Sequence, residues 1–70
     1  MNPSNIITKL SDIMRDDRDF MERRIAAADA LGNTDTSAAR DALIAVIDDP
    51  LEDLTLQAAA IRALGKSLKP

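Results

Sequence analysis

The feature that most constrains this chain is an internal repeat: its second half restates its first at a fixed offset of 33 residues. Leu31-Gly32 returns as Leu64-Gly65, Ser4 as Ser37, Leu10 as Leu43 and Asp16 as Asp49. Ala26, Ala27 and Ala30 return as Ala59, Ala60 and Ala63, while Ile13/Val46, Met14/Ile47 and Met21/Leu54 keep apolar character. A gapless register through caps, glycines and an acidic turn is hard to produce by chance, even in a chain rich in Ala and Leu. Periods of about 20–50 residues build stacked units that bury their apolar faces against one another.

Each unit reads as two helices. The apolar residues are mostly Ala, Leu and Ile, with Phe20 the sole aromatic and Val46 the sole Val. Ala and Leu lead the helix scale, whereas strands favour aromatic and β-branched residues. The first helix is expected to open at a Ser4 N-cap and to carry Ile6, Ile7, Leu10, Ile13 and Met14 on one stripe. Asp16 or Asp17 is placed to cap a second helix from about Asp19 to Leu31, with Gly32 as its left-handed terminator. Asn33-Thr34-Asp35-Thr36 is a polar connector, and a third helix starts near Ser37 and ends at Asp48-Asp49-Pro50. The fourth is expected to start between Asp49 and Asp53 and to close at Gly65, with Lys66 and Lys69 at its negative end. The expected fold class is all-α, two tandem helical hairpins in one domain over 1–70, with repeats at 4–32 and 37–65.

The stretches Arg24-Ile25-Ala26-Ala27-Ala28-Asp29-Ala30-Leu31-Gly32 and Gln57-Ala58-Ala59-Ala60-Ile61-Arg62-Ala63-Leu64-Gly65 resemble the second-helix signature of HEAT repeats. The short variant found in phycobilin-lyase-like proteins is the most similar, and Asp48-Asp49-Pro50 resembles the acidic turn of that family. The resemblance covers about residues 4–65 and implies a helical superhelix fragment that acts as a scaffold or adaptor by binding proteins. It also implies an alternative, an accessory subunit of a phycobilin lyase-like system. The position of Arg24 is held by Gln57 in the second repeat, so an ion pair from that Arg to a neighbouring acidic turn is not repeated.

Composition narrows the chemistry. There is no Cys and no His, which removes thiolate ligands, disulfides, the commonest general base and the commonest zinc ligand. The only glycines, Gly32 and Gly65, read as helix stops and not as a phosphate loop. The aspartates of the two turns read as caps, because a calcium loop needs a glycine and alternating ligands that do not occur. No catalytic residue, cofactor or metal is therefore expected. Arg15, Arg18, Arg23, Arg24 and Arg40 are interleaved with carboxylates, and the net charge of −3 is mildly acidic, so an ion-paired face is expected over a nucleic-acid face. No apolar run reaches the ~20 residues that span a bilayer, and no signal peptide is visible, so a cytoplasmic location is expected. The initiator Met and a capped first helix are what a complete small protein would show.

What remains is a partner-binding surface. Leu56 stands where Arg23 stands in the first repeat, and Leu51 where Arg18 stands, so both leucines are expected to be exposed. Arrays of repeats generally need three or more units. Two units must either close into a bundle or stack on another molecule, a second copy included. The expected interface is the face of the fourth helix, Leu51, Leu54, Leu56 and Ile61, with Arg23 and Arg24 as charged candidates. Phe20 stands opposite Asp53 and is expected to cover the first acidic turn, not to enter the core.

Overall fold

In the computed structural model four helices follow one another: α1 (Pro3–Arg15), α2 (Met21–Gly32), α3 (Ser37–Ile47) and α4 (Leu54–Ser67). The structure describes residues 3–68, with side chains from Asn5 onward, so Lys69 lies outside it. No strand occurs among the described residues. The offset of 33 carries α1 onto α3 and α2 onto α4, and the chain is two helical hairpins in tandem.

Helix α1 packs on α2 and α3 packs on α4, and the two hairpins are joined chiefly by α2 lying against α4. Met14, Leu31, Leu43, Leu56 and Val46 are fully buried and supply the bulk of the core. Between them sit Ala27, Ala28, Ala39, Ala59, Ala60 and Ala63, all buried. The small side chains are what let α2 and α4 approach closely. Ala26 and Ala58, by contrast, are exposed. The radius of gyration, 10.9 Å, matches the value of about 11 Å for a compact chain of this length.

The helix ends differ from the sequence expectation in instructive ways. Ser4 lies within α1, and its side chain is outside the description. Helix α2 starts at Met21, and its N-cap is Phe20, which offers no side-chain acceptor. The Asp16 carboxylate is occupied by the turn itself, accepting from the Arg18 N–H at 3.0 Å, so it does not cap the helix. Thr36, one residue before Ser37, caps α3 by accepting from the Ala39 N–H. Asp53 caps α4 by accepting from the Thr55 N–H at 2.7 Å. Phe20 is 76% exposed and stays out of the core as expected.

Neither glycine is a left-handed terminator, since no residue in the described chain has positive φ. Gly32 is the last residue of α2, and α4 runs straight through Gly65 to Ser67. Gly32 is there for space. A Cβ on it would lie 2.6 Å from the Ala63 carbonyl oxygen and 2.7 Å from the Ala63 Cβ, so a side chain would push α2 off α4.

Candidate functional site

Helix α4 carries Leu54, Ala58, Ile61 and Gly65, and its C-cap is Leu68, at alternating spacings of four and three, which puts all five on one stripe. All five are exposed, Leu54 by 79%, Ile61 by 56% and Leu68 by 73%. A continuous apolar stripe left in water is unlike a scatter of single surface leucines, and such patches mark contact surfaces.

The repeat explains why the stripe is there. Thirty-three residues earlier its first four positions are Met21, Ile25, Ala28 and Gly32. Met21 and Ile25 are packed against the core, and Ala28 and Gly32 are buried. That is the side of α2 on which α4 rests. Gly65 thus repeats Gly32, but a Cβ on Gly65 would meet nothing within 4 Å. Ile47, the counterpart of buried Met14, is half-buried, and the repeat puts it on the same side of the second hairpin as the stripe.

Polar groups secure the covered side. Arg24 is 3% exposed, donates from Nε to the Met14 carbonyl at 2.9 Å, and pairs through Nη2 with Glu52 Oε1 at 2.6 Å. Arg15 pairs with Asp49 at 2.8 Å and lies 3.8 Å from Glu52. The two arginines of the first hairpin therefore clamp the acidic turn of the second. Glu52 is a largely buried carboxylate, which sequence reasoning missed; the signal was the Arg24 position, whose ion pair to an adjacent acidic turn the resemblance implies. Gln57, the counterpart of Arg24, keeps the carbonyl bond by donating to the Asp49 oxygen at 2.6 Å, but has no second arm.

At the opposite end the molecule satisfies itself. Arg23 pairs with Asp19 at 2.9 Å and Arg18 with Asp16 at 3.5 Å, within the first turn. The Asp16 carboxyl is held below its ordinary value, first by the Arg18 backbone N–H and then by the Arg18 charge. An open concavity of about 290 Å³ is lined by Leu10, Ile13, Arg23, Ala26 and Ala27. Its counterparts, Leu43, Val46, Leu56, Ala59 and Ala60, are all fully buried under the first hairpin. The hollow is therefore the uncovered end of the stack, with no converging polar groups to orient a small ligand.

The expected interface residues divide accordingly. Leu54 and Ile61 lie on the stripe, and Leu51, 93% exposed, stands at the α3–α4 turn. Leu56 is a correction: it is fully buried. Its position matches exposed Arg23, but in the second hairpin that position faces the first, whereas no hairpin precedes that of Arg23 among the described residues. Arg24 is likewise buried and paired, so it holds the hairpins together and is not free to meet a partner. Arg23 is exposed but lies at the other end, beside Asp19. All five arginines weighed as a basic patch are paired, Arg40 with Asp35 at 2.9 Å. Among the described residues no group of three or more acidic side chains converges as a metal site. Among the described residues no helix is long and apolar enough to cross a membrane.

Tandem helical hairpins, a covered inter-repeat face and its open counterpart define an all-α repeat protein whose units stack through equivalent surfaces. The HEAT-repeat family profile matches residues 7–70, and the chain belongs to that family. Repeats of this kind generally mediate protein interactions and are typically non-enzymatic scaffolds. The comparisons with curated proteins and with solved structures returned no match.

Proposed function

We propose that this chain is a non-catalytic protein-interaction module, a small adaptor whose contact surface is the outer face of α4. The observation that carries the reading is the exposed stripe Leu54–Ala58–Ile61–Gly65–Leu68, whose counterpart in α2 is the covered side of the inter-hairpin interface. Covering a stripe of this kind gains roughly 25 cal/mol for each Å² of apolar surface removed from water. The pairing of Arg15, Arg18, Arg23, Arg24 and Arg40 with carboxylates supports a protein partner over a polyanion.

The test is photo-crosslinking in extracts of the source cell, with a photoreactive residue at position 61 or, as control, at exposed Asp12 on α1. A discrete adduct at 61 that is missing at 12, and is lost in a Leu54→Asp background, is the expected result. Equal adducts at both positions, or none at 61, would remove the stripe as the contact surface.

A further inference from the structure

The open face repeats the shape of the covered one but not its charges. Three charged side chains carry the first hairpin onto the second: Arg15 to Asp49 and Glu52, Arg24 to Glu52, and Asp29 to Lys66 at 3.8 Å. Their counterparts on the open face are Asp48, Gln57 and Arg62. One cation has become an anion, one has become neutral, and the anion has become a cation. Asp48 and Arg62 are both exposed, and neither has an ion-pair partner among the described residues.

The reversal decides which occupant fits. A second copy stacked in register would bring its first turn, Asp16 and Asp19, to the place of Asp49 and Glu52, and so against Asp48. It would also set Arg23 where Leu56 is fully buried, and neutral Asn33 opposite Arg62. Like charges brought together, and an arginine desolvated where a leucine packs, with its own Asp19 as its carboxylate, both oppose such a stack. The shape still requires a small residue on Gly65, as Ala63 sits on Gly32.

We propose that the face formed by Ile47 and the Leu54–Ala58–Ile61–Gly65–Leu68 stripe docks a helical hairpin of a different protein. That hairpin packs an Ala or Gly against Gly65, offers a basic turn to Asp48 and presents a carboxylate to Arg62. The inference rests on the protein-binding reading above and adds the chemistry of the partner. Because the Asp29–Lys66 contact is long and both groups are half exposed, the Asp48 contact is the stronger of the two selectors.

The chain itself supplies a probe. In a variant with Asp16→Lys, Arg23→Leu and Asn33→Glu, the first hairpin acquires the stated chemistry, and Gly65→Leu blocks that variant's own stripe. Titrated against the unaltered chain and followed by calorimetry and light scattering, this probe is expected to form a saturable 1:1 complex. Replacing the unaltered target with its Gly65→Leu form should weaken binding at least tenfold; a Cβ there meets nothing within the free chain, so that form keeps its fold. Asp48→Lys with Arg62→Glu on the target should also weaken it at least tenfold, and the unaltered chain alone should stay monomeric.

A probe with a native helical spectrum that does not bind overturns the proposal. Binding that is indifferent to Asp48→Lys/Arg62→Glu overturns the charge rule while leaving the crosslinking test of the stripe untouched. Unaltered chains that stack on one another, and stop doing so with Gly65→Leu, would make a second copy the occupant. If the probe does not fold, the reciprocal variant Arg23→Leu/Asp48→Arg/Gln57→Arg restores the arginines of the first hairpin to the open face. It is expected to self-associate head to tail, and a folded, strictly monomeric form of it overturns the proposal.

Discussion

Gly32 and Gly65 occupy the same position of the repeat, each follow a leucine near the end of a helix, and live in opposite surroundings. Gly32 is pressed against Ala63 so closely that a Cβ has no room, while Gly65 faces open space. The same contrast runs along both helices, from Ala28 (buried) against Ile61 (exposed) to Leu56 (buried) against Arg23 (exposed). Repetition in sequence thus specifies equivalent backbone and equivalent faces, but not equivalent environments. In a stack of two, each unit has one covered side and one uncovered side, and they are different sides.

The largest expected effect comes from one substitution placed on each side of that contrast. Leu56→Asp removes a fully buried side chain, a loss of about 2–5 kcal/mol for truncation alone, and adds a carboxylate that burial penalises further. In a chain this small the result should be an unfolded protein at room temperature by circular dichroism. Ile61→Asp, on the open stripe, should change stability by no more than about 0.5 kcal/mol. If both variants fold equally well, the two faces are not what the structure shows them to be.

The two neighbouring arginines come next. Arg24→Ala leaves Glu52 largely buried without its closest cation and the Met14 carbonyl without its donor, at a cost of about 3–5 kcal/mol. Arg23→Ala breaks an exposed pair with Asp19 that contributes about 0.2–1 kcal/mol. Urea melts of the two variants should separate clearly. A midpoint for Arg24→Ala within error of Arg23→Ala would mean that Arg15 alone can hold the second acidic turn.

Much of this architecture was legible from the chain. The 33-residue register gave four helices and two hairpins, because period and apolar spacing act locally and survive translation; the Arg24 pair to a neighbouring acidic turn was implied only by the family resemblance. Leu56 was misplaced for a physical reason: register assigns a residue to a face, and only the position of the hairpin within the stack decides whether that face is covered. The glycines were misread for a similar reason. A glycine after a leucine at a helix end has two explanations, a left-handed turn or a close helix approach, and only the distance to Ala63 chooses between them. Cap assignments failed at Asp16 because its carboxylate has a competing acceptor role inside the turn, at the Arg18 N–H.

The glycine pair offers a test in which the two sides should move in opposite directions. Gly32→Ala gains helix propensity of up to about 1 kcal/mol but forces a Cβ into backbone at 2.6 Å, an overpacking cost of about 1–3 kcal/mol. The net should be a melting temperature lowered by several degrees. Gly65→Ala meets nothing and should raise it, since propensity is the only term left. Two shifts of the same sign would contradict the asymmetry.

The smallest effect separates what the two acidic turns share from what the first holds alone. In both turns the leading aspartate accepts from the N–H two residues on, Asp16 from Arg18 at 3.0 Å and Asp49 from Leu51 at 2.9 Å. Only in the first turn does that same residue also bring a guanidinium, because Arg18 is replaced by Leu51; Asp49 takes its guanidinium from Arg15 of the first hairpin. The Asp16 carboxyl lies below 3.8 in the fold, chiefly through the backbone bond. A depressed acid contributes its stability above the unfolded value and loses it as pH falls through the lower, folded one. The turn should therefore loosen only as pH falls toward the lowered, folded value of Asp16. An NMR titration of Arg18→Ala should find Asp16 still depressed, since the N–H remains. A return to 3.8 would assign the depression to the guanidinium, and with it to a feature of the first repeat and not of the turn both repeats build.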